Sequence, residues 1–266
     1  MPDKFRYGEV AMEVDGPIAR IILNRPDRLN ALSVEMQQGI VDAADRCTVH
    51  RSIRAVILRG AGGTFTAGAD LELLAEVHAG EASPSVADLG RRMADAVEAI
   101  PAVTIAAIEG HCVGGGVVLA AACDMRVASE DTFFSIPEVD LGIPLAWGGT
   151  PRLVRELGPA RTLELIVTCR EFGASEAMAF GLLNRVVPKS QLGAIVDGLA
   201  EVVAAKPANV VRTVKAAVRA AADEMVRGLG RTEDAQLLLG VAGDDEAAAM
   251  AFDYLKRFRS KSNEGD

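Results

Sequence analysis

Glu138 and two glycine-containing turns are the parts of this sequence whose residue types could carry out chemistry. Glu138 follows Pro137 and lies among apolar residues, which predicts that its carboxyl group is partly buried. Burial raises the pKa of a carboxyl group, so Glu138 is a candidate acid or base near neutral pH. The alternative interpretation is a surface glutamate, the default for an acidic residue.

The two turns span residues 67–70 (Ala-Gly-Ala-Asp) and 114–116 (Gly-Gly-Gly), and each precedes a predicted helix. The first N–H groups of a helix have no partner within it, and the helix dipole adds roughly half a positive charge there. Such a turn can bind a phosphate, or an oxygen that becomes negative during a reaction. Two of them in one chain, together with Glu138, favour a two-donor oxyanion hole. Simple chain reversal is the alternative for either turn.

Nucleotide-binding fingerprints do not fit these turns. After Gly114 and Gly116 the third glycine of a dinucleotide fingerprint would fall on Leu119. No Gly-Lys-Ser or Gly-Lys-Thr follows either turn, which excludes a P-loop.

Two groups of basic residues could hold the phosphates of an anionic ligand. Arg25 and Arg28 follow the first predicted hairpin, and a second group lies on the last predicted helix, where aromatic residues are interleaved. The second group comprises Lys256, Arg257, Arg259 and Lys261, with Phe258 among the aromatic residues. A solvated helix end whose cations complement the dipole is the alternative. Trp147, which precedes two glycines, is predicted to form a pocket wall.

Composition restricts the class of protein. The net charge of −9, from 28 basic and 37 acidic residues, argues against nucleic-acid binding. The four cysteines and three histidines show no metal-ligand or disulfide spacing, so we expect no metal site and a reducing compartment. No apolar run reaches membrane-spanning length and the N-terminus lacks an apolar leader, so we expect a cytoplasmic protein without a membrane partner.

Strand and helix patterns alternate along most of the chain. Residues 10–14 and 18–23 predict a hairpin, and Ser33 is a predicted N-cap for a helix over about 34–46. Residues 103–108 predict a buried strand that leads into the glycine elbow and a helix to about Cys123. We therefore predict an α/β protein with stacked ββα units over residues 1–195 and a helical C-terminal region over residues 196–266.

Five segments, in the order expected, resemble the crotonase superfamily, the enoyl-CoA hydratase/isomerase family. They are NRPDRLNAL (24–32), FTAGADL (65–71), IEGHCVGGGVVLAAACDMRVAS (108–129), FFSIPEVDLGIP (133–144) and ASEAMAFGLLNRVVP (174–188). The resemblance implies a crotonase-like spiral of ββα turns with a C-terminal helical trimerisation region. It also implies a homotrimer or hexamer, and a CoA thioester bound in an extended, bent groove. CoA would be part of the substrate, with no separate cofactor.

The resemblance also implies roles for single residues. Ala69 and Gly115 fall at the two oxyanion-hole positions, where their backbone N–H groups would hold the thioester oxygen while an enolate forms. Glu138 matches the second catalytic glutamate of the hydratases and the single glutamate of many enoyl-CoA isomerases. The residues expected to bind substrate or CoA are Arg25, Arg28, Ala67, Asp70, Gly114, Trp147, Phe258 and Lys261.

One departure from the family pattern bears on the reaction. The first glutamate of the hydratases is replaced by Val118, and the acid of the dienoyl-CoA isomerases is replaced by Ala146. Hydration needs one group to take a proton from water and another to supply the α-proton, and Val118 can do neither. The sequence therefore favours isomerisation of an enoyl-CoA with Glu138 as the single acid/base. Two alternatives remain: hydration of a 2-enoyl-CoA despite Val118, and acyl-CoA binding with little or no catalysis.

Overall fold

The strands and helices of the computed structural model alternate as the sequence predicts. The structure describes residues 2–226, 236, 239, 240 and 244–263. The strands are β1 (Asp3–Tyr7), β2 (Val10–Asp15), β3 (Ile18–Leu23), β4 (Ala55–Gly60), β5 (Val103–Ile108), β6 (His111–Val113), β7 (Met125–Ser129), β8 (Phe133–Ser135), β9 (Phe172–Gly173) and β10 (Arg185–Val187).

Helices connect most of these strands. They are α1 (Val34–Val49), α2 (Leu71–His78), α3 (Pro84–Ala87), α4 (Leu89–Ala99), α5 (Gly115–Ala121), α6 (Gly149–Leu157), α7 (Pro159–Thr168), α8 (Ala174–Phe180), α9 (Leu192–Ala204), α10 (Ala208–Met225) and α11 (Asp245–Asn263). Two short 3-10 helices span Pro26–Arg28 and Lys189–Gln191. None of the helices in the described ranges qualifies as a membrane-spanning segment.

The main sheet has the order β1-β2-β3-β4-β5-β7-β10. The pairs β1–β2 and β2–β3 are antiparallel, and every later neighbour is parallel. Parallel neighbours need a crossover, which is why helices separate the strands from β3 onward. The predicted hairpin is confirmed, with Asp15 paired to Ile18. The N-cap is confirmed too, because Ser33 accepts the N–H of Met36 at 3.0 Å.

Both faces of this sheet are covered, and side chains alternate between them. On β4, Val56 and Leu58 belong to the core shared with α1, α4 and α5, whereas Ala55 and Ile57 belong to a second core formed with α9. The residues of α9 in that core recur every four positions: Leu192, Val196, Ala200 and Ala204. The predicted division at residue 195 falls inside α9, and a two-part organisation of the chain stays a prediction.

A second sheet, β6-β8-β9, was not predicted. Its strands have two or three residues, too few for an alternating pattern to be visible in the sequence. β6 pairs in parallel with β8, so the chain before the glycine elbow runs beside the chain before Glu138. This sheet therefore brings two of the predicted functional segments together.

Candidate active site

Asn30 holds the first glycine-containing turn in place. Its fully buried side chain donates Nδ2–H bonds to the carbonyl oxygens of Ala61 at 2.9 Å and Thr64 at 2.8 Å. The Asn30 carbonyl accepts from the Thr66 hydroxyl at 2.7 Å, and that hydroxyl oxygen accepts the Gly68 N–H at 3.1 Å. Sequence reasoning missed this role, although Asn is among the residues that tolerate the left-handed φ of +54° found here.

Two backbone hydrogen bonds to Leu32 set the direction of the Ala69 N–H. The N–H of Leu32 donates to the Gly68 carbonyl at 2.7 Å, and the N–H of Asp70 donates to the Leu32 carbonyl at 3.4 Å. The Ala69 N–H belongs to the same trans peptide as the Gly68 carbonyl, so it points away from Leu32. The Ala69 N–H is therefore available to a ligand on the side opposite Leu32.

Glycines allow the two turns to touch. A Cβ built at Gly68 would lie 2.7 Å from the carbonyl oxygen of Val113, and one built at Gly116 would lie 2.5 Å from Cγ2 of Thr66. Gly68 also has a φ of +91°, which other residues rarely adopt. The turns that carry Ala69 and Gly115 are thus packed backbone to backbone.

The two predicted oxyanion donors face one small cavity. Ala69 and Gly115 both line it, together with Glu138 and Trp147. Within the described part of the chain, neither the Ala69 N–H nor the Gly115 N–H has a hydrogen-bond acceptor. The neighbouring Gly114 N–H is already used, since it donates to the Ser135 carbonyl at 2.9 Å.

Glu138 enters the same cavity from a tight turn after β8. Its carbonyl accepts the N–H groups of Leu141 at 3.0 Å and Ile143 at 2.9 Å. The predicted burial is confirmed: Glu138 is 8% exposed, and its Oε2 has no hydrogen-bond partner among the described residues. Burial removes water from the charged form and raises the pKa of Glu138 to about 7. The carboxyl group can therefore both take and return a proton near neutral pH.

A wider groove adjoins this cavity. The cavity has a volume of about 30 Å³ and the groove about 460 Å³. They share Ala69, Glu138 and Ile143, so the carboxyl group and one free N–H lie where the two spaces meet. Among the described residues that line the cavity, Glu138 is the only carboxylate, and Val118 and Ala146 form part of its apolar wall.

The structure places most of the predicted binding residues around these spaces. Arg28, Ala67, Asp70 and Gly114 line the groove, and Trp147 lines the cavity. Sequence reasoning did not assign Tyr254 of α11 to the site, although it lines the groove and packs against the core. Burial and the nearby carboxylates raise the pKa of Tyr254, so its hydroxyl stays neutral.

Three predicted binding residues are not placed on the groove. Arg25 forms ion pairs with Glu9, at 3.0 Å, and with Asp70, and it does not line either space. These bonds favour the charged form and raise the pKa of Arg25, so the guanidinium acts here as a clamp between two carboxylates. Its role in binding phosphate stays a prediction. The side chains of Phe258 and Lys261 lie outside the described part of the structure.

The sequence is similar to that of known proteins. The family model described as enoyl-CoA hydratase/isomerase matches residues 13–257. The chain is 35% identical to the peroxisomal Delta(3,5)-Delta(2,4)-dienoyl-CoA isomerase of Arabidopsis thaliana, over 93% of this chain and 94% of the relative. It is also 35% identical to the crotonyl-CoA hydratase of Syntrophomonas wolfei, over 79% of this chain and 81% of the relative.

A solved structure shows the same fold at similar identity. It is a Thermobifida fusca protein described as an enoyl-CoA hydratase, solved in complex with acetoacetyl-CoA. The identity is 30% over 83% of this chain and 94% of that one, with a TM-score of 0.72. The fold expected from the sequence, a crotonase-like α/β spiral, is thereby confirmed. The chain belongs to the enoyl-CoA hydratase/isomerase family.

Proposed function

We propose that this enzyme moves a double bond in an enoyl-CoA thioester, with Glu138 as its single acid/base. The thioester oxygen accepts hydrogen bonds from the N–H groups of Ala69 and Gly115. The CoA part occupies the groove lined by Arg28, Ala67 and Asp70, and the acyl part occupies the cavity. The complex of the Thermobifida fusca relative with acetoacetyl-CoA supports an acyl-CoA ligand for this site.

The proposed reaction consists of two proton transfers. The Glu138 carboxylate takes a proton from the α-carbon of a 3-enoyl-CoA, and the negative charge spreads over the allyl system to the thioester oxygen. The two N–H groups stabilise that charge, each contributing about 10²–10³ in rate. Glu138 then returns the proton to the γ-carbon, which leaves a 2-enoyl-CoA. No atom is gained or lost, so one carboxyl group is sufficient.

The observation that carries this proposal is the lone carboxyl group of the cavity. Its Oε2 has no hydrogen-bond partner in the described structure, and its pKa is about 7. The position where a hydratase would hold its first glutamate is Val118, which is fully buried. The water molecule needed for hydration would thus be held by one carboxylate rather than by two.

The test is the turnover of a 3-enoyl-CoA by Glu138→Gln. We expect a loss of about 10³-fold or more, since a positioned acid/base contributes about 10²–10⁴, with acyl-CoA affinity changed by only a few-fold. Glu130→Gln is the matched control, because Glu130 is exposed and lies outside both spaces. Unchanged turnover in Glu138→Gln would contradict the single-base mechanism. Binding without turnover by the wild-type enzyme would indicate an acyl-CoA-binding protein instead.

Hydration of a 2-enoyl-CoA is the second candidate. The 35% sequence identity to the crotonyl-CoA hydratase of Syntrophomonas wolfei favours it. It is tested by following water addition and double-bond migration with the same enzyme. Val118→Glu restores a second carboxyl group at the cavity, and we expect it to increase hydration relative to migration. Faster hydration than migration by the wild-type enzyme would favour the second candidate.

We also propose that the enzyme works as a homotrimer or a hexamer, and that α10 contributes to the interface. This helix has no buried residue in the single chain. Val210, Val214 and Val218 lie four residues apart on one side of it and are 56–64% exposed. Apolar stripes of this kind mark surfaces that another protein chain covers.

A further inference from the structure

Trp147 adopts a backbone conformation that a large side chain rarely takes. Its φ is +60°, in the left-handed region, and that of Gly148 is +67°. Such a conformation is strained and persists only where the surroundings enforce it. The surroundings of Trp147 therefore hold its indole in one position.

Two glycines make room for the indole of Trp147. A Cβ at Gly90 would collide with Cδ2 and Cε2, and a Cβ at Gly115 would collide with Cζ3. The ring thus lies between the α-carbons of a residue on α4 and of the proposed oxyanion donor. Trp147 is 7% exposed and lines the cavity.

Arg152 holds the backbone that carries Trp147. Its Nη1 donates to the carbonyl oxygens of Trp147 and Gly148, both at 3.1 Å. Its Nη2 is paired with Asp95 at 2.6 Å and with Glu98 at 2.5 Å, so the guanidinium is anchored to α4. Because α4 also carries Gly90, the turn and the ring are fixed to the same helix.

Resting on the proposed function, we propose that Trp147 closes the acyl end of the site and restricts the enzyme to short-chain acyl-CoA substrates of about four carbons. The cavity of about 30 Å³ holds two or three water-sized groups at roughly 10–15 Å³ each. That is space for the carbons beyond the α-carbon of a four-carbon acyl group. Longer chains must displace an indole that lies between Gly90 and Gly115 and whose backbone Arg152 holds.

The sign of the chain-length dependence distinguishes a closed end from an open one. In an open apolar pocket each added methylene tightens binding about fourfold, so decanoyl-CoA would bind more tightly than butyryl-CoA. With a closed end the added methylenes cannot enter, and the order is reversed. The comparison needs no turnover, since saturated acyl-CoA thioesters have no double bond to move.

The experiment measures dissociation constants of butyryl-, hexanoyl- and decanoyl-CoA by calorimetry for the wild-type enzyme, Trp147→Phe and Trp147→Ala. We expect the wild type to bind butyryl-CoA about tenfold or more tightly than decanoyl-CoA, with the preference reduced in Trp147→Phe and reversed in Trp147→Ala. Equal or tighter binding of decanoyl-CoA by the wild type would overturn the proposal. So would an unchanged preference in Trp147→Ala with a wild-type circular dichroism spectrum.

The wild-type enzyme supplies a second measurement that no substitution can compromise. Trp147 is the single tryptophan of the sequence, so its fluorescence reports on this site alone. We expect butyryl-CoA to shift its emission and free CoA to leave it nearly unchanged, because only the acyl group reaches the indole. Equal shifts with both ligands would overturn the proposal. If no acyl-CoA binds, both the chain-length proposal and the proposed function are wrong. If acyl-CoA binds without a chain-length preference, only the chain-length proposal is wrong.

Discussion

The carboxylate of Glu138 lies against the α-carbon of Gly114, and any Cβ at residue 114 would collide with its Oε1. Gly114 also has a φ of +51°. Its N–H is bound to the Ser135 carbonyl at the end of β8, two residues before Pro137. The residue beside one proposed oxyanion donor therefore fixes where the proposed base can lie.

Gly114→Ala is expected to lower activity strongly while the protein still folds. The new methyl group displaces the Glu138 carboxyl group, so we expect turnover to fall about 100-fold or more. Stability should fall by about 1–3 kcal/mol from the left-handed backbone and the collision. Gly16→Ala is the matched control, since Gly16 has a φ of +55° but open space around it. Equal loss of turnover in both variants, measured beside thermal unfolding, would contradict this placement of Glu138.

The long elements and the chemistry of the site could be predicted from the sequence because their signals are local. The residues that indicate an element lie within a few positions of it in three cases: the hairpin at Gly16, the N-cap at Ser33 and the buried strand 103–108. The same holds for the burial of Glu138, which its apolar neighbours indicate. The glycine elbow and this glutamate were sufficient to suggest an oxyanion hole beside an acid/base, whereas enolate chemistry was implied by the resemblance to the family.

Contacts between distant segments could not be predicted in this way. The Asn30 side chain donates to carbonyl oxygens of residues more than 30 positions away. The sequence around Asn30 does not indicate which residues these are. For Trp147 the sequence predicted only a pocket wall. The two glycines that contact its ring could not be predicted, because they come from α4 and α5. Arg25 was expected to bind phosphate, and its neighbours in the sequence do not indicate the ion pairs that it forms with Glu9 and Asp70.

The pH dependence of catalysis should follow the raised pKa of Glu138. The base must be deprotonated to take the α-proton, and burial raises its pKa to about 7. We therefore expect kcat/KM for a 3-enoyl-CoA to rise about tenfold per pH unit below 6 and to level off above 8. The measurement is a profile from pH 5 to 9 with thioester stability checked at each point. A plateau already present at pH 5 would show that the base is not a buried carboxyl group.

Glu138→Gln should stabilise the fold at alkaline pH. In the folded protein the pKa of Glu138 is raised from 4.5 to about 7, so the folded state binds the proton more tightly than the unfolded state. The stability contributed by this proton is complete below pH 4.5 and is lost as the pH rises through 7. At pH 8 the wild type should thus be less stable than Glu138→Gln by roughly 3 kcal/mol.

The measurement for this variant is urea unfolding of both proteins at pH 8 and at the lowest pH where both fold. The difference between them should shrink towards acid pH, because the wild-type carboxyl group is then protonated in both states. Glu130→Gln again serves as the control, since Glu130 is exposed. A difference that is independent of pH would mean that packing, rather than desolvation of the charge, separates the two proteins.

Val214→Asp should break the oligomer proposed for this enzyme. Val214 is the middle residue of the exposed valine stripe on α10, and a charge buried there against another subunit would cost several kcal/mol. We expect light scattering after gel filtration to show a trimer or hexamer for the wild type and a smaller species for the variant. Val49→Asp is the control, because Val49 is 74% exposed at the end of α1. If both variants keep the mass of the wild-type oligomer, α10 does not form the interface. If the wild type is a monomer, the valine stripe is not covered by a second copy of this chain.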